Sequence, residues 1–223
     1  MPYNKKDKLI FLHIPKTGGT SILTFFEMDK PENFCFFHWD DETQREPFLE
    51  ESRKHSNSDK LIYEPQHYTI DIIKELIPDY GSYFKFSFVR NPYTRILSEY
   101  FYRNGQQLIA DTEFNPDDFH NWCLTYLSVI DNSHKEPQVN FIDQTVNFIG
   151  KYESISDDIE VLKTELVNFS NDLIKYKNKP LPHLNSTPLN KSHLIKYILP
   201  ETKELIYFLY KPDFNAFSYN AEI

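Results

Sequence analysis

Lys8–Met28 reads KLIFLHIPKTGGTSILTFFEM. The first seven residues, KLIFLHI, form an apolar run of strand length. PKTGG follows as a loop, and TSILTFFEM reads as a helix opened by a hydroxyl residue. A strand, a tight loop and a helix therefore stand together near the start of the chain. The amino end of a helix presents unpaired backbone N–H groups and a partial positive charge. Gly18 and Gly19 let a backbone approach an anion closely. Lys16 adds a formal charge, and Thr17, Thr20 and Ser21 add hydroxyl donors. The chain holds only 5 Gly, so two of them in one loop carry weight. HIPKTGGTS, His13 to Ser21, reads as a cradle for a phosphate or sulfate group.

The Walker pattern GxxxxGK[ST] is absent, because here the lysine precedes the glycines. A magnesium-dependent phosphoryl site also needs an acidic residue near the end of another strand. The second long strand, YFKFSFV (Tyr83–Val89), ends instead in Arg90. A sulfuryl group carries less negative charge than a terminal phosphoryl. A lysine and helix-end donors suit its transfer without a metal, and no His or Cys spacing suggests a metal site.

Further along, FSFVRNPYTRILSEY (Phe86–Tyr100) places Arg90 at the carboxyl end of a strand, the edge where open α/β sheets collect ligands. Arg90 can grip a phosphate in fork geometry. Ser98, two turns into the next helix, can donate a hydroxyl. On the residues alone, Arg95 and Ser98 also fit a plain surface helix, with Asn91-Pro92 as its cap.

Around these motifs the periodicity predicts a helix over 69–77, stopped by Pro78, and helices over 92–105, 116–130 and 156–166. It predicts a third good strand over 146–151. Residues 29–60 are irregular with a short helix over 41–55, and 60–64 make a short strand. Residues 181–190 are a Pro-rich loop, and 193–210 hold one helix or two, broken near Pro200. Strands alternating with helices predict an α/β fold with a central, mainly parallel sheet. No linker divides the 223 residues, so one domain is expected.

The composition narrows the partners. A formal net charge of −9 does not suit a broad nucleic-acid or acidic-membrane face. Two cysteines, Cys35 and Cys123, make no disulfide framework and read as free thiols. The apolar run after the amino terminus is too short for a signal peptide or a membrane span, so a cytoplasmic protein is expected. Three classes fit a helix-end cradle: a sulfotransferase, a nucleotide-dependent kinase, and a non-catalytic nucleotide-binding protein.

HIPKTGGTS resembles the 5′-phosphosulfate loop of the carbohydrate sulfotransferase family that includes heparan sulfate 2-O-sulfotransferase and many bacterial relatives. FVRNPYTRILSEY is similar to that family's 3′-phosphate motif, an arginine followed eight residues later by a serine. EPQHYT resembles the segment with the catalytic histidine. EPQVNFI, FIGKYESISDDI, LPHLNST and YKPDFNAFSY resemble later stretches, so the likeness spans nearly the whole chain. It implies a nucleotide-kinase-like, P-loop-type fold and 3′-phosphoadenosine 5′-phosphosulfate as sulfuryl donor. Lys16, Thr17, Gly18, Gly19, Thr20 and Ser21 would hold the phosphosulfate, and Arg90 and Ser98 the 3′-phosphate.

The resemblance also implies that His67 is the general base and that the acceptor is a hydroxyl, on a glycan. Many eukaryotic members have Gly-His where this chain has Gln66-His67. Those members also carry a Golgi anchor that this chain lacks, which favours a soluble, bacterial-type enzyme. Of the other histidines, His13 reads as buried and structural, His183 as a loop contact to the nucleotide, and His38 as a surface residue. Glu153 and Ser154 read as structural. The acceptor's identity and the oligomeric state stay open.

Overall fold

The computed structural model describes residues 3–28, 65–104, 114–180 and 191–221. Its centre is a four-stranded sheet in the order β1 (Tyr3–Asn4), β2 (Leu9–Leu12), β3 (Phe84–Val89) and β4 (Phe148–Lys151). β2, β3 and β4 run parallel, with Phe11 opposite Phe86 and Phe86 opposite Phe148. The short β1 adds an antiparallel edge, Tyr3 opposite Ile10, that the sequence pattern did not predict. Every residue of LIFL and FKFSFV is buried, as expected of parallel strands covered on both faces.

Period-two alternation sorts those residues between two cores. Leu9, Phe11, Phe84, Phe86 and Phe88 face one side, where α1 (Gly19–Phe25) brings Ile22 and Phe25. α2 (Ile70–Leu76) packs on the other side, setting Ile70 and Ile73 against Ile10 and Leu12. α3 (Pro92–Arg103) and α4 (Pro116–Tyr126) belong to a third, helical cluster. α5 (Ile155–Phe169) returns to the α1 side through Ile159, Leu162 and Leu166. α6 (Pro200–Ala216) completes the helical cluster with Ile206, Tyr210 and Phe214.

Several boundaries differ from the sequence expectation. α4 stops at Tyr126, not near residue 130, although Leu127, Val129 and Ile130 prolong the apolar pattern. Val129 and Ile130 are in fact exposed. α5 starts at Ile155, one residue before the expected Ser156. The break expected near Pro200 is present, between a 3-10 segment over Lys191–Tyr197 and α6. Pro200 opens α6 because the first turn needs no N–H from it, and α6 runs on to Ala216, past the expected end at 210. The interior proline is Pro212, and non-helical backbone at Tyr210 marks a kink there. The expected elements over 41–55 and 60–64, the loop 181–190, and Cys35 lie outside the described residues, whereas Cys123 is a buried free thiol. Among the described residues, no helix is long and apolar enough to cross a membrane.

Candidate active site

Three neighbouring parallel strands deliver their carboxyl ends to one place. After β2 comes the loop His13–Gly18, after β3 comes Arg90, and after β4 comes Tyr152. The loop is held under strain. Lys16 has φ 68° and Gly18 φ 86°, and a non-glycine residue in that region costs on the order of 1–3 kcal/mol.

Three side chains fix the shape. The Thr17 hydroxyl donates to the Ile14 carbonyl at 2.9 Å. Arg95 Nε donates to the Pro15 carbonyl at 3.1 Å, and Arg90 Nη1 to the Lys16 carbonyl at 3.1 Å. Thr17 is fully buried and donates its hydroxyl proton inside the loop, so its backbone N–H is what it can offer an anion.

The two glycines answer to different neighbours. A Cβ on Gly18 would sit 3.1 Å from the Tyr152 ring, at a φ that already disfavours a side chain. A Cβ on Gly19 would lie 1.8 Å from His13 Nε2. Gly19 is therefore the seat of the His13 imidazole. Thr20 is exposed and Ser21 half-buried on the first turn of α1.

Arg90 is 7% exposed. Its Nε donates to Thr94 Oγ1 at 3.0 Å, and its guanidinium lies 4.1 Å from the centre of the Tyr152 ring. Gln138 clamps its main chain from both sides, and Asp213 in turn accepts from Gln138. Among the described residues Arg90 Nη2 has no partner, so one arm of the fork is available to an anion. Residues 94, 98 and 102 share one face of α3 by their four-residue spacing. Thr94 touches Arg90, while the Tyr102 ring carries Lys16 Nζ at 4.0 Å. Ser98, half-buried, occupies the turn between them. Lys16 and Arg90 thus meet at the carboxyl ends of the strands, and helical spacing puts Ser98 on the face of α3 that meets them.

His67 arrives on a short 3-10 turn, Pro65–His67, ahead of α2. It is 3% exposed, and its Nδ1 lies 2.8 Å from the His13 carbonyl oxygen. A carbonyl only accepts, so Nδ1 carries the proton. Burial, then the charges of His13 and His134, push the His67 pKa well below the ordinary range. The ring is therefore neutral with its lone pair on Nε2, and the same burial makes that nitrogen a weaker proton acceptor than an ordinary imidazole.

His13 lies just past β2 rather than within the strand. Its pKa falls to about 3, chiefly through burial and then through His134. Its Nδ1 is buried without a hydrogen-bond partner. His38 and His183 lie outside the described residues.

Sequence reasoning missed four residues here. Arg95 is no surface residue: at 1% exposure it binds the carbonyls of Pro15, His134 and Glu136. Glu99, also 1% exposed, accepts from His134 Nδ1, Arg103 Nε and the Tyr126 hydroxyl. Burial pulls the Glu99 carboxyl upward, but those hydrogen bonds outweigh it and hold the pKa at about 2. His134 and Tyr102 complete the group. The only signal was the run Arg95, Glu99, Arg103 at four-residue spacing, which by itself reads as a solvated helix face. Glu153 matches its structural reading, accepting from the Asn91 N–H and the Tyr219 hydroxyl. Ser154 does so too, bonding Asp158. Among the described residues, no group of His, Cys, Asp and Glu could hold a metal ion.

This site can therefore neutralise an anion through Lys16 and Arg90, and it holds the His67 imidazole neutral through burial. A family model described as the sulfotransferase family matches residues 1–220. No curated protein and no solved structure matches the chain.

Proposed function

The chain belongs to the sulfotransferase family, and on that premise we propose that it moves a sulfuryl group from 3′-phosphoadenosine 5′-phosphosulfate to a hydroxyl of a carbohydrate. The observation that carries this reading is the 3.1 Å bond from Arg90 Nη1 to the Lys16 carbonyl. A nucleotide with anionic groups at both its 5′ and 3′ positions needs two cationic places within its reach, and this contact, which ties the Arg90 guanidinium to the main chain of the lysine loop, supports that reading.

Lys16 and the N–H groups of Gly18, Gly19, Thr20 and Ser21 hold the phosphosulfate, with Thr17 shaping the loop. Arg90 and Ser98 hold the 3′-phosphate, and His183 contributes to nucleotide binding. His67 Nε2 takes the proton from the acceptor hydroxyl as its oxygen attacks sulfur in line with the leaving phosphate. Lys16 and the loop amides stabilise the charge that builds on the bridging oxygen. These groups supply the positive charge, so no metal is invoked. The chain works as a single domain in the cytoplasm.

The test is incubation with sulfur-35-labelled donor and a panel of neutral and lightly charged glycans. Label transferred to a sugar, with adenosine 3′,5′-bisphosphate released, supports the reading. Magnesium-dependent transfer of phosphate from ATP to the same panel would overturn it.

A further inference from the structure

We propose that Glu99 and His134 form a positioning pair for His67, the carboxylate fixing the second imidazole and that imidazole bracing the first. The inference rests on the reading of His67 as the base. Three imidazoles adjoin: His67 lies 4.5 Å from His13 and 5.2 Å from His134 between ring centres, the latter at 87°. The His13 carbonyl pins one edge of the His67 ring through Nδ1. The edge-on His134 ring opposes rotation out of that bond.

His134 is itself tied three times, its backbone N–H donating to Asn132 Oδ1 at 3.0 Å. Its Nδ1 is 2.8 Å from Glu99 Oε2, and its carbonyl accepts from Arg95 Nη2 at 3.1 Å. Arg95 also grips Pro15 in the anion loop. The second histidine, the base and the loop are therefore set by one lattice.

A buried carboxylate is costly unless donors match it, and Glu99 has three. Fixing a nearby imidazole through a buried acid gives that carboxylate a role beyond packing. The groups acting on His67 are His13 from the end of β2 and His134 from the loop after α4. The amino-terminal charge adds a smaller push of the same sign, and the His13 carbonyl pulls the other way. Lys16 bears on His13, and Glu99 lies behind His134. Losing the His134 ring should therefore let His67 take up a proton at higher pH.

Histidine-labelled nitrogen-15 NMR reads this without nucleotide or acceptor, on the wild-type protein, His134→Asn and Glu99→Gln. Asparagine can still donate to Glu99, so the carboxylate is not orphaned in the first variant. Wild-type His67 should show one tautomer, protonated at Nδ1. In folded His134→Asn, the expected result is a mixture of tautomers and a titration midpoint about one pH unit higher. Glu99→Gln should loosen the tautomer of both His134 and His67. If His67 keeps its wild-type tautomer and midpoint in either folded variant, the positioning role is overturned. Absence of sulfuryl transfer by the wild type would sink the proposed function and leave these spectra standing, so the two failures are distinguishable.

Discussion

Arg90 and Lys16 are 74 positions apart, yet the guanidinium of one donates to the main-chain carbonyl of the other at 3.1 Å. The contact has two consequences. It stabilises a lysine whose φ of 68° is unfavourable, and it sets a guanidinium beside the loop that carries Lys16. Replacing Arg90 should therefore harm binding and stability together. Arg90→Ala is expected to weaken adenosine 3′,5′-bisphosphate about 10- to 100-fold and to cost about 1.5–3 kcal/mol of stability. Arg90→Lys restores charge but not the fork, and should recover little of either. Calorimetric titration and urea unfolding check the two halves.

His67→Asn separates chemistry from architecture. Asparagine can still donate to the His13 carbonyl but has no basic nitrogen in place of Nε2. Transfer should fall about 10²- to 10⁴-fold while bisphosphate affinity and melting temperature change little. Wild-type turnover in this variant would remove His67 as the base.

Gly19→Ala places a methyl where the His13 ring now lies. His13 must move, and its carbonyl anchors the Nδ1 proton of His67. Overpacking of this kind costs about 1–3 kcal/mol. Loss of turnover alongside that destabilisation is expected, read by transfer assay and thermal melt.

Arg95→Met keeps bulk but leaves the carbonyls of Pro15, His134 and Glu136 without their donor. A loss of more than about 3 kcal/mol is expected. A change below 1 kcal/mol, again by urea unfolding and again roughly one ordinary hydrogen bond, would show that the knot is dispensable.

Acid should destabilise the protein from near neutrality. His13 sits at about 3 against an ordinary 6.5, and His67 is displaced in the same direction. Below pH 6.5 the unfolded chain binds protons that the folded one refuses. Both contributions are whole above pH 6.5; that of His13 drains away towards pH 3, by up to about 1.4 kcal/mol per pH unit, and that of His67 falls in the same direction. Glu99, lowered from 4.5 to about 2, adds a further loss as pH falls through that lower window. Urea midpoints at pH 7.5, 6.5 and 5.5 should fall in that order, and a flat series would contradict the burial of neutral histidines.

β2 and β3 were legible because strands covered on both faces must be apolar throughout. The Lys16 loop was legible because glycine, lysine and hydroxyl residues between a strand and a helix have few other uses. Arg95, Glu99 and His134 were not. A charged residue at helical spacing looks alike whether water or carbonyl groups surround it, and only the packing of α3 against the loop and residues 134–136 decides. Val129 and Ile130 misled in the opposite sense, as apolar residues left exposed beyond the end of α4.

The most direct measurement is titration calorimetry of the wild-type protein with adenosine 3′,5′-bisphosphate in the presence of a chelator. Binding of one molecule per chain is expected, with adenosine 5′-monophosphate at least about tenfold weaker because it leaves Arg90 without its anion. Equal affinity for the two nucleotides, or no binding until magnesium is added, would contradict a wall on which Lys16 and Arg90 grip one doubly phosphorylated adenosine.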